Sequence, residues 1–438
     1  MTRHAALSAI AVAGAASLAS PALAAAPALL AHQAPLVIDN AATAWILTST
    51  ALVLLMTLPG LALFYGGMVR KKNIISVIAQ SAAAFAIVSV LWFLVGYSLS
   101  FGKGPDAVNG LIGGVQAAFL NGVTMETAHS LLPGLPELLF VSFQMTFAII
   151  TPALIAGAFA ERMKFSASLL FFALWHLIVY APICHQVWGG GYLGSLGVLD
   201  FAGGAVVHVN AGVAGLVCAL VLGPRHGFGR DNMAPANLVY SAIGTGLLLV
   251  GWIGFNAGSA GAADALAATA AFNTILAAGA AALGWMAVEW FDRKRPTLLG
   301  LLSGVVGGLV AITPAAGFVD PKGAFFIGLI AGPACYAGAV WLKHALKYDD
   351  SLDAFGVHGI GGIVGALLTG VFATTSINAL SEGATVWKQA LGLGGAIVWS
   401  AVGTFVVLMI CKFTTGLRVT RDEEVEGLDY TQHGEAIH

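Results

Sequence analysis

Charge is what this sequence has least of. Lys, Arg, Asp and Glu supply 9% of its 438 residues, where a soluble domain carries about a quarter. Such a chain cannot clothe a water-facing surface, and with a net charge of −2 it has no basic surplus for nucleic acid. Cysteine is nearly absent as well. The four present, Cys184, Cys218, Cys335 and Cys411, sit in or at the ends of apolar runs without CxxC spacing. They therefore read as small hydrophobic fillers rather than a disulfide framework or a metal site. No set of three or four His, Cys or carboxylate residues has ligand spacing, which leaves no expected metal or other cofactor and disfavours a membrane metalloenzyme.

What is abundant is apolar: 58% of the chain is hydrophobic and 56 residues are glycine. Gly and Ala recur inside the apolar runs, where small residues let helices approach closely. The expectation is an all-α membrane protein. Residues 1–26 carry Arg3, an alanine-rich stretch and "SPALAAAP", the pattern of a cleaved signal peptide with its processing site ending at Ala24. Eleven runs follow that are long enough to cross a bilayer at about 20 residues each. They lie near 43–66, 74–100, 137–159, 166–187, 203–223, 235–257, 264–291, 297–315, 323–342, 354–375 and 386–414. Alternation from an outside N-terminus places fifteen Lys and Arg residues, from Arg70 to Arg421, in the cytoplasm and only Lys103, Lys322 and Lys388 outside. That bias fits an outside N-terminus and a cytoplasmic C-terminus. A transmembrane domain over 40–415 and a cytoplasmic tail over 416–438 follow.

The fifth run contains "VHVNAGVAG" and the tenth "VHGIGGIVG", both V-H-x-x-x-G-x-x-G, 150 residues apart. Lying five helices apart, the copies would run in opposite senses, a five-plus-five inverted repeat with an additional C-terminal helix. His208 and His358 would then meet across a pseudo-two-fold axis, with glycines one and two turns beyond allowing close approach. An ionisable group at membrane depth is costly and marks function, and two histidines without a third ligand suit a proton-exchanging lining better than a metal. His176 and His185, which have no such partner, read as buried rings hydrogen-bonded to nearby backbone. Asp200 stands about 12 Å before His208 at the start of the fifth helix, where a carboxylate can both cap the helix and attract a cation. Aromatic faces recur at helix ends: Phe143 and Phe147 in "FQMTF", Trp188 in "HQVWGGG", and Trp252, Phe255 and Ser259 in "GWIGFNAGS". Together they could hold a small cation by cation–π attraction and a hydroxyl contact.

With "DFAGGAVVH", "AERMKFS", "VWGGG", "FGVHGIGGIVG" and the tail "GLRVTRDEEVEGLDYTQHGEAIH", these motifs resemble, in order and spacing, the ammonium transporter family (Amt/Mep/Rh), bacterial Amt type. The resemblance implies a substrate site for ammonium at Phe147, Trp188 and Ser259 supported by Asp200, and a gate of Phe147 on Phe255. It further implies pore histidines at His208 and His358, with Phe143 and Trp252 in the vestibule or its wall. Trp188 and Ser259 favour Amt over Rh relatives. The resemblance also implies uptake of ammonium or ammonia across the cell inner membrane without catalysis, a homotrimer among membrane lipids, and a PII-type nitrogen-regulatory protein docking at the cytoplasmic tail. The alternative is an ammonium sensor using the same vestibule and signalling through its tail; that tail, from about residue 415, shows no response domain.

Overall fold

The computed structural model describes residues 33–437; the expected signal peptide lies outside them. Ten helices are long and apolar enough to cross a membrane: α1 (Asn40–Met68), α2 (Lys71–Phe101), α3 (Glu137–Phe159), α4 (Phe165–Ser195), α5 (Gly204–Leu222), α6 (Leu238–Gly258), α7 (Ala265–Arg293), α9 (Pro321–Leu346), α10 (Phe355–Phe372) and α11 (Val386–Thr414). Between α7 and α9 lies α8 (Leu298–Ile312), apolar but only 15 residues long. At 1.5 Å per residue it reaches about 22 Å, short of the roughly 30 Å hydrocarbon core. The sequence pattern had continued this segment to residue 315. Pro314 has no amide to continue the ladder, and the chain turns instead, with the Thr313 and Ala315 amides donating to Val310 and Ile312.

Polar residues at the borders of the apolar runs decide where helices begin. Asp39, Asp264, Thr297, Asp320 and Thr385 each accept a hydrogen bond from a backbone amide of the first turn of α1, α7, α8, α9 and α11. Each such cap is worth about 1 kcal/mol. Ranked by burial, α3 and α5 lie at the centre of the bundle, while α11 shows its apolar side outward, with Val398, Val402, Phe405 and Phe413 exposed. An apolar surface of that kind suits lipid or another subunit, not water. The four cysteines are all buried and free.

One end of the bundle is covered by the chain between α2 and α3 and by a two-stranded antiparallel sheet, β1 (Gln33–Pro35) on β2 (Thr127–His129). His185 pins this cover: its Nδ1 and Nε2 lie 3.1 and 2.7 Å from the Ser100 and Asn109 carbonyl oxygens, as the sequence reading expected. His176 differs. It is fully buried, neither ring nitrogen has a hydrogen-bond partner among the described residues, and it packs against the rings of Trp92 and Tyr180.

At the opposite end the tail folds into two short helices, α12 (Arg421–Glu426) and α13 (Leu428–His433), opened by a Thr420/Glu423 capping box. It is docked rather than merely solvated. The Glu424 carboxylate takes Arg418 and the His226 amide, the Asp429 carboxylate takes the Ser76 amide, and Asn73 takes the Leu428 amide. Lys72 Nζ donates to the Val425 carbonyl.

Candidate functional site

The site is built on two helix starts. Gly203 adopts φ +114°, a left-handed conformation that any side chain would strain, and an added Cβ would also lie 2.7 Å from Val207. From that turn the chain enters a wider π-helical stretch, Gly204–Val209, which carries His208; a matching stretch, Phe355–Gly359, carries His358. A carboxylate holds each start. Asp200 Oδ1 accepts the Gly203 and Gly204 amides at 2.8 and 2.6 Å, and Oδ2 accepts Ala205 and Val206 at 2.8 and 3.1 Å. Four of the helix's unpaired donors are thereby satisfied at once. Asp350 accepts the Ala354 and Phe355 amides at 3.1 and 2.7 Å.

These two starts bring the histidines together. Their Nδ1 atoms are 3.3 Å apart and their rings nearly parallel, centroids 5.4 Å apart at 17°. Both are buried, and His208 Nε2 has no hydrogen-bond partner among the described residues. The approach is possible because small residues occupy the crossing of α5 and α10. A Cβ on Gly212 would lie 2.2 Å from the Gly359 nitrogen, and one on Gly362 would lie 2.8 Å from Val209.

Above the pair sit the aromatics. Phe255 stacks on Phe147 with centroids 4.2 Å apart at 28°, and His208 lies beneath Phe255 at 5.9 Å. Phe143 and Trp188 meet Phe147 edge-on at 5.0 and 6.0 Å. Over the stack opens a vestibule of about 370 Å³, whose lining includes Phe143, Phe147, Trp188, Asp200 and Ser259. Trp188 is oriented by its indole N–H on the Asp200 carbonyl at 2.9 Å. Ser259 Oγ donates to the Phe255 carbonyl at 2.8 Å, which leaves its lone pairs free to accept from a cation. Trp252 is not among the residues that line this cavity. It lies deeper, its ring 5.2 Å from His208 at 19°, fixed by its N–H on Thr313 Oγ1 at 2.9 Å.

This order of parts, an aromatic-lined vestibule over a stacked phenyl pair over a buried imidazole pair, is built from the motifs that carry the resemblance to a known family. The match extends to the whole chain: the profile of the Ammonium Transporter Family fits residues 44–437. The chain belongs to the ammonium transporter family. An ammonium transporter of Bacillus subtilis is 49% identical over 407 residues, covering 90% of this chain and 97% of that one. Ammonium transporter Amt1 of Archaeoglobus fulgidus is 43% identical over 405 residues, covering 91% and 100%. Among solved structures, Saccharomyces cerevisiae Mep2 superposes with a TM-score of 0.80 at 36% identity, covering 88% of this chain and 91% of that one. A structure described as a sensor Amt protein gives 0.83 at 32%, covering 90% and 98%.

Two residues of this family member escaped the sequence reading. Asp350 could have been found by adding to Asp200 the 150-residue offset that relates His208 to His358. Gln144, inside the quoted "FQMTF", lines the vestibule, and its Oε1 is buried without a partner. No sequence pattern marks that, because Gln144 differs from a lipid-facing glutamine only by what surrounds it.

At the tail end a second polar cluster holds the loops. The Glu161 carboxylate takes the Arg70 amide at 2.7 Å, Arg70 Nε at 2.8 Å and Arg225 at 3.3 Å, while Asp349 takes Arg225 through both oxygens. Burial pushes the Glu161 carboxyl up, but the Arg225 and Arg70 charges outweigh it and hold the group below its ordinary 4.5. Asp349 is likewise held below 3.8, burial being outweighed by Arg225.

Proposed function

We propose that this protein carries ammonium, as ammonia plus a separately handled proton, across the cytoplasmic membrane. The observation that carries the reading is the buried His208–His358 contact, 3.3 Å between Nδ1 atoms, directly beneath the stacked phenyl pair. A stripped ammonium ion in hydrocarbon costs tens of kcal/mol, so the charge must be handled before the narrow part. In the vestibule Phe147 and Trp188 offer aromatic faces and Ser259 an acceptor oxygen, each replacing part of the ion's water. Phe147 on Phe255 closes the path until ring motion admits the substrate.

Below the stack the chemistry follows from the imidazole pair. Two neutral rings sharing one proton between their Nδ1 atoms leave one Nε2 as acceptor and the other as donor. A proton taken at the first Nε2, shifted across the Nδ1 contact and released at the second moves one charge without any ring holding it for long. Ammonia passes alongside. Potassium has no proton to give up, and selectivity follows from acid–base chemistry rather than from size. Asp200 positions His208 by fixing the start of its helix, and Asp350 does the same for His358.

The eleven-span reading counts α8 as a span, and the five-plus-five inverted repeat is supported by two reciprocities at the 150-residue offset: Asp200 with Asp350, and Gly212 on Gly359 with Gly362 on Val209. It places the docked tail beside Arg70, Arg162 and Arg225 on the cytoplasmic face, where positive residues belong. The homotrimer, the inner-membrane location and the PII-type partner at that face rest on the family resemblance. The sensing alternative shares the vestibule but has no observation of its own. Ammonium-driven current and uptake in proteoliposomes test the proposal. Selective flux is expected, and its complete absence with a folded protein would overturn transport in favour of sensing.

A further inference from the structure

A cleft of about 520 Å³ opens at the tail end, walled on one side by the loop joining α5 to α6 and on the other by the docked tail. Arg225, His226 and Arg230 line it from the loop, and Arg418, Arg421 and Glu424 from the tail. The charges in this wall are unequally committed. Arg225 is spent on Asp349 and Glu161. Arg418 donates to the Leu222 and Pro224 carbonyls and to Glu424. The one carboxylate in the lining, Glu424, is saturated as well, Oε2 on Arg418 and Oε1 on the His226 amide. Arg230, Arg421 and the His226 ring remain, with no side-chain hydrogen bond or ion pair among the described residues. The cleft thus has two permanent positive charges and an imidazole without side-chain partners among the described residues, and its one carboxylate already pairs with Arg418 and the His226 amide.

We propose that this cleft binds a phosphate-bearing anion, which ties the tail to the α5–α6 loop. A phosphate group suits two guanidinium forks lining one cleft better than a carboxylate or halide does, because it offers three oxygens and up to two charges. The donors come from both walls, Arg230 and His226 from the loop and Arg421 from the tail, so the bound group bridges two segments that otherwise meet through Arg418 and Glu424. Ligand binding to the docked form alone stabilises that form by mass action. The same chemistry has two sources, a soluble phosphate or the headgroup of an anionic lipid in the leaflet on the tail side. The inference rests on the tail and loop alone and stands or falls independently of the transport reading.

The test uses the purified full chain in nanodiscs and reads tail release as the rate of limited proteolysis after Arg421, with thermal unfolding as a second readout. Inorganic pyrophosphate is titrated into phosphatidylcholine-only nanodiscs, and in a separate arm phosphatidylglycerol replaces a third of the lipid. At least one arm is expected to slow tail cleavage severalfold, and the arm that does so names the source. The single variant Arg230→Gln, which leaves the cleavage site intact, is expected to weaken that protection at least tenfold in ligand concentration. It should leave thermal unfolding without ligand unchanged, since this exposed side chain holds nothing else. Protection by neither probe, or equal protection of wild type and Arg230→Gln, would overturn the proposal.

Discussion

Gly212 rests on the backbone of Gly359, the residue that follows His358, so closely that a Cβ would come within 2.2 Å of the Gly359 nitrogen. The distance between the imidazoles is therefore set by a glycine on the facing helix. Gly212→Ala must push α10 away or distort it, an overpacking that costs about 1–3 kcal/mol. The expected outcome is a folded protein with markedly reduced ammonium current, measured on proteoliposomes against wild type. Unchanged current would mean that the ring separation does not matter.

The histidine pair itself predicts a graded series. The double variant His208→Ala/His358→Ala is expected to lose selective uptake, because the apolar path then holds no proton acceptor at depth. His208→Asp or His358→Glu retains part of the flux, since a carboxylate can accept the proton. Uptake with potassium as competitor is the measurement. Wild-type rate and selectivity in the double alanine variant would leave the histidines structural.

Asp200 accepts two amides on each oxygen. An asparagine keeps one accepting oxygen and turns an NH2 toward two donors, so Asp200→Asn is not the mild change that simple capping would suggest. Buried unpaired amides cost roughly 1–3 kcal/mol apiece. We expect Asp200→Asn to lower both melting temperature and transport, and Asp200→Ala to lower them further. Equal stability of all three proteins would contradict the geometry.

Gln144 and Ser259 offer the vestibule's neutral oxygens. Gln144→Leu fills the same space without an acceptor and is expected to raise the ammonium concentration needed for half-maximal current severalfold, with little change in maximal current. A fall in maximal current at unchanged half-saturation would place Gln144 outside the recruitment step.

The Glu161 and Asp349 carboxyls are held below their ordinary values of 4.5 and 3.8. Their pairing therefore contributes fully above pH 4.5 and is lost as acid carries the pH down through the folded-state values, where the unfolded chain binds more protons. Thermal unfolding should show a falling melting temperature below about pH 4.5, flatter in Glu161→Gln. Arg225→Ala, which strips buried Asp349 of its guanidinium partner while Glu161 keeps Arg70, should cost about 3–5 kcal/mol at neutral pH. A pH profile identical in wild type and Glu161→Gln would detach the cluster from acid stability.

Hydropathy and spacing alone determined that the chain is a bundle of membrane-length helices, where ten of them lie among the described residues, and that His208 and His358 sit in two copies of one short motif, because these properties are periodic and local. The aromatic residues of the vestibule were legible for the same reason: each sits within a short motif. Three things were decided only by the tertiary structure. The segment expected to run to residue 315 stops at Ile312, where Pro314 meets a chain already committed to turning under Phe201. Trp252 lies on the face of His208 because Thr313, just past the end of α8, takes its N–H. The tail, which by composition belongs in water, is docked because its buried carboxylates Glu424 and Asp429 find donors on the α5–α6 loop and at the start of α2, some 200 and 350 residues earlier. Local sequence encodes burial and period, whereas a hydrogen-bond partner far along the chain is supplied only when folding brings the two segments together.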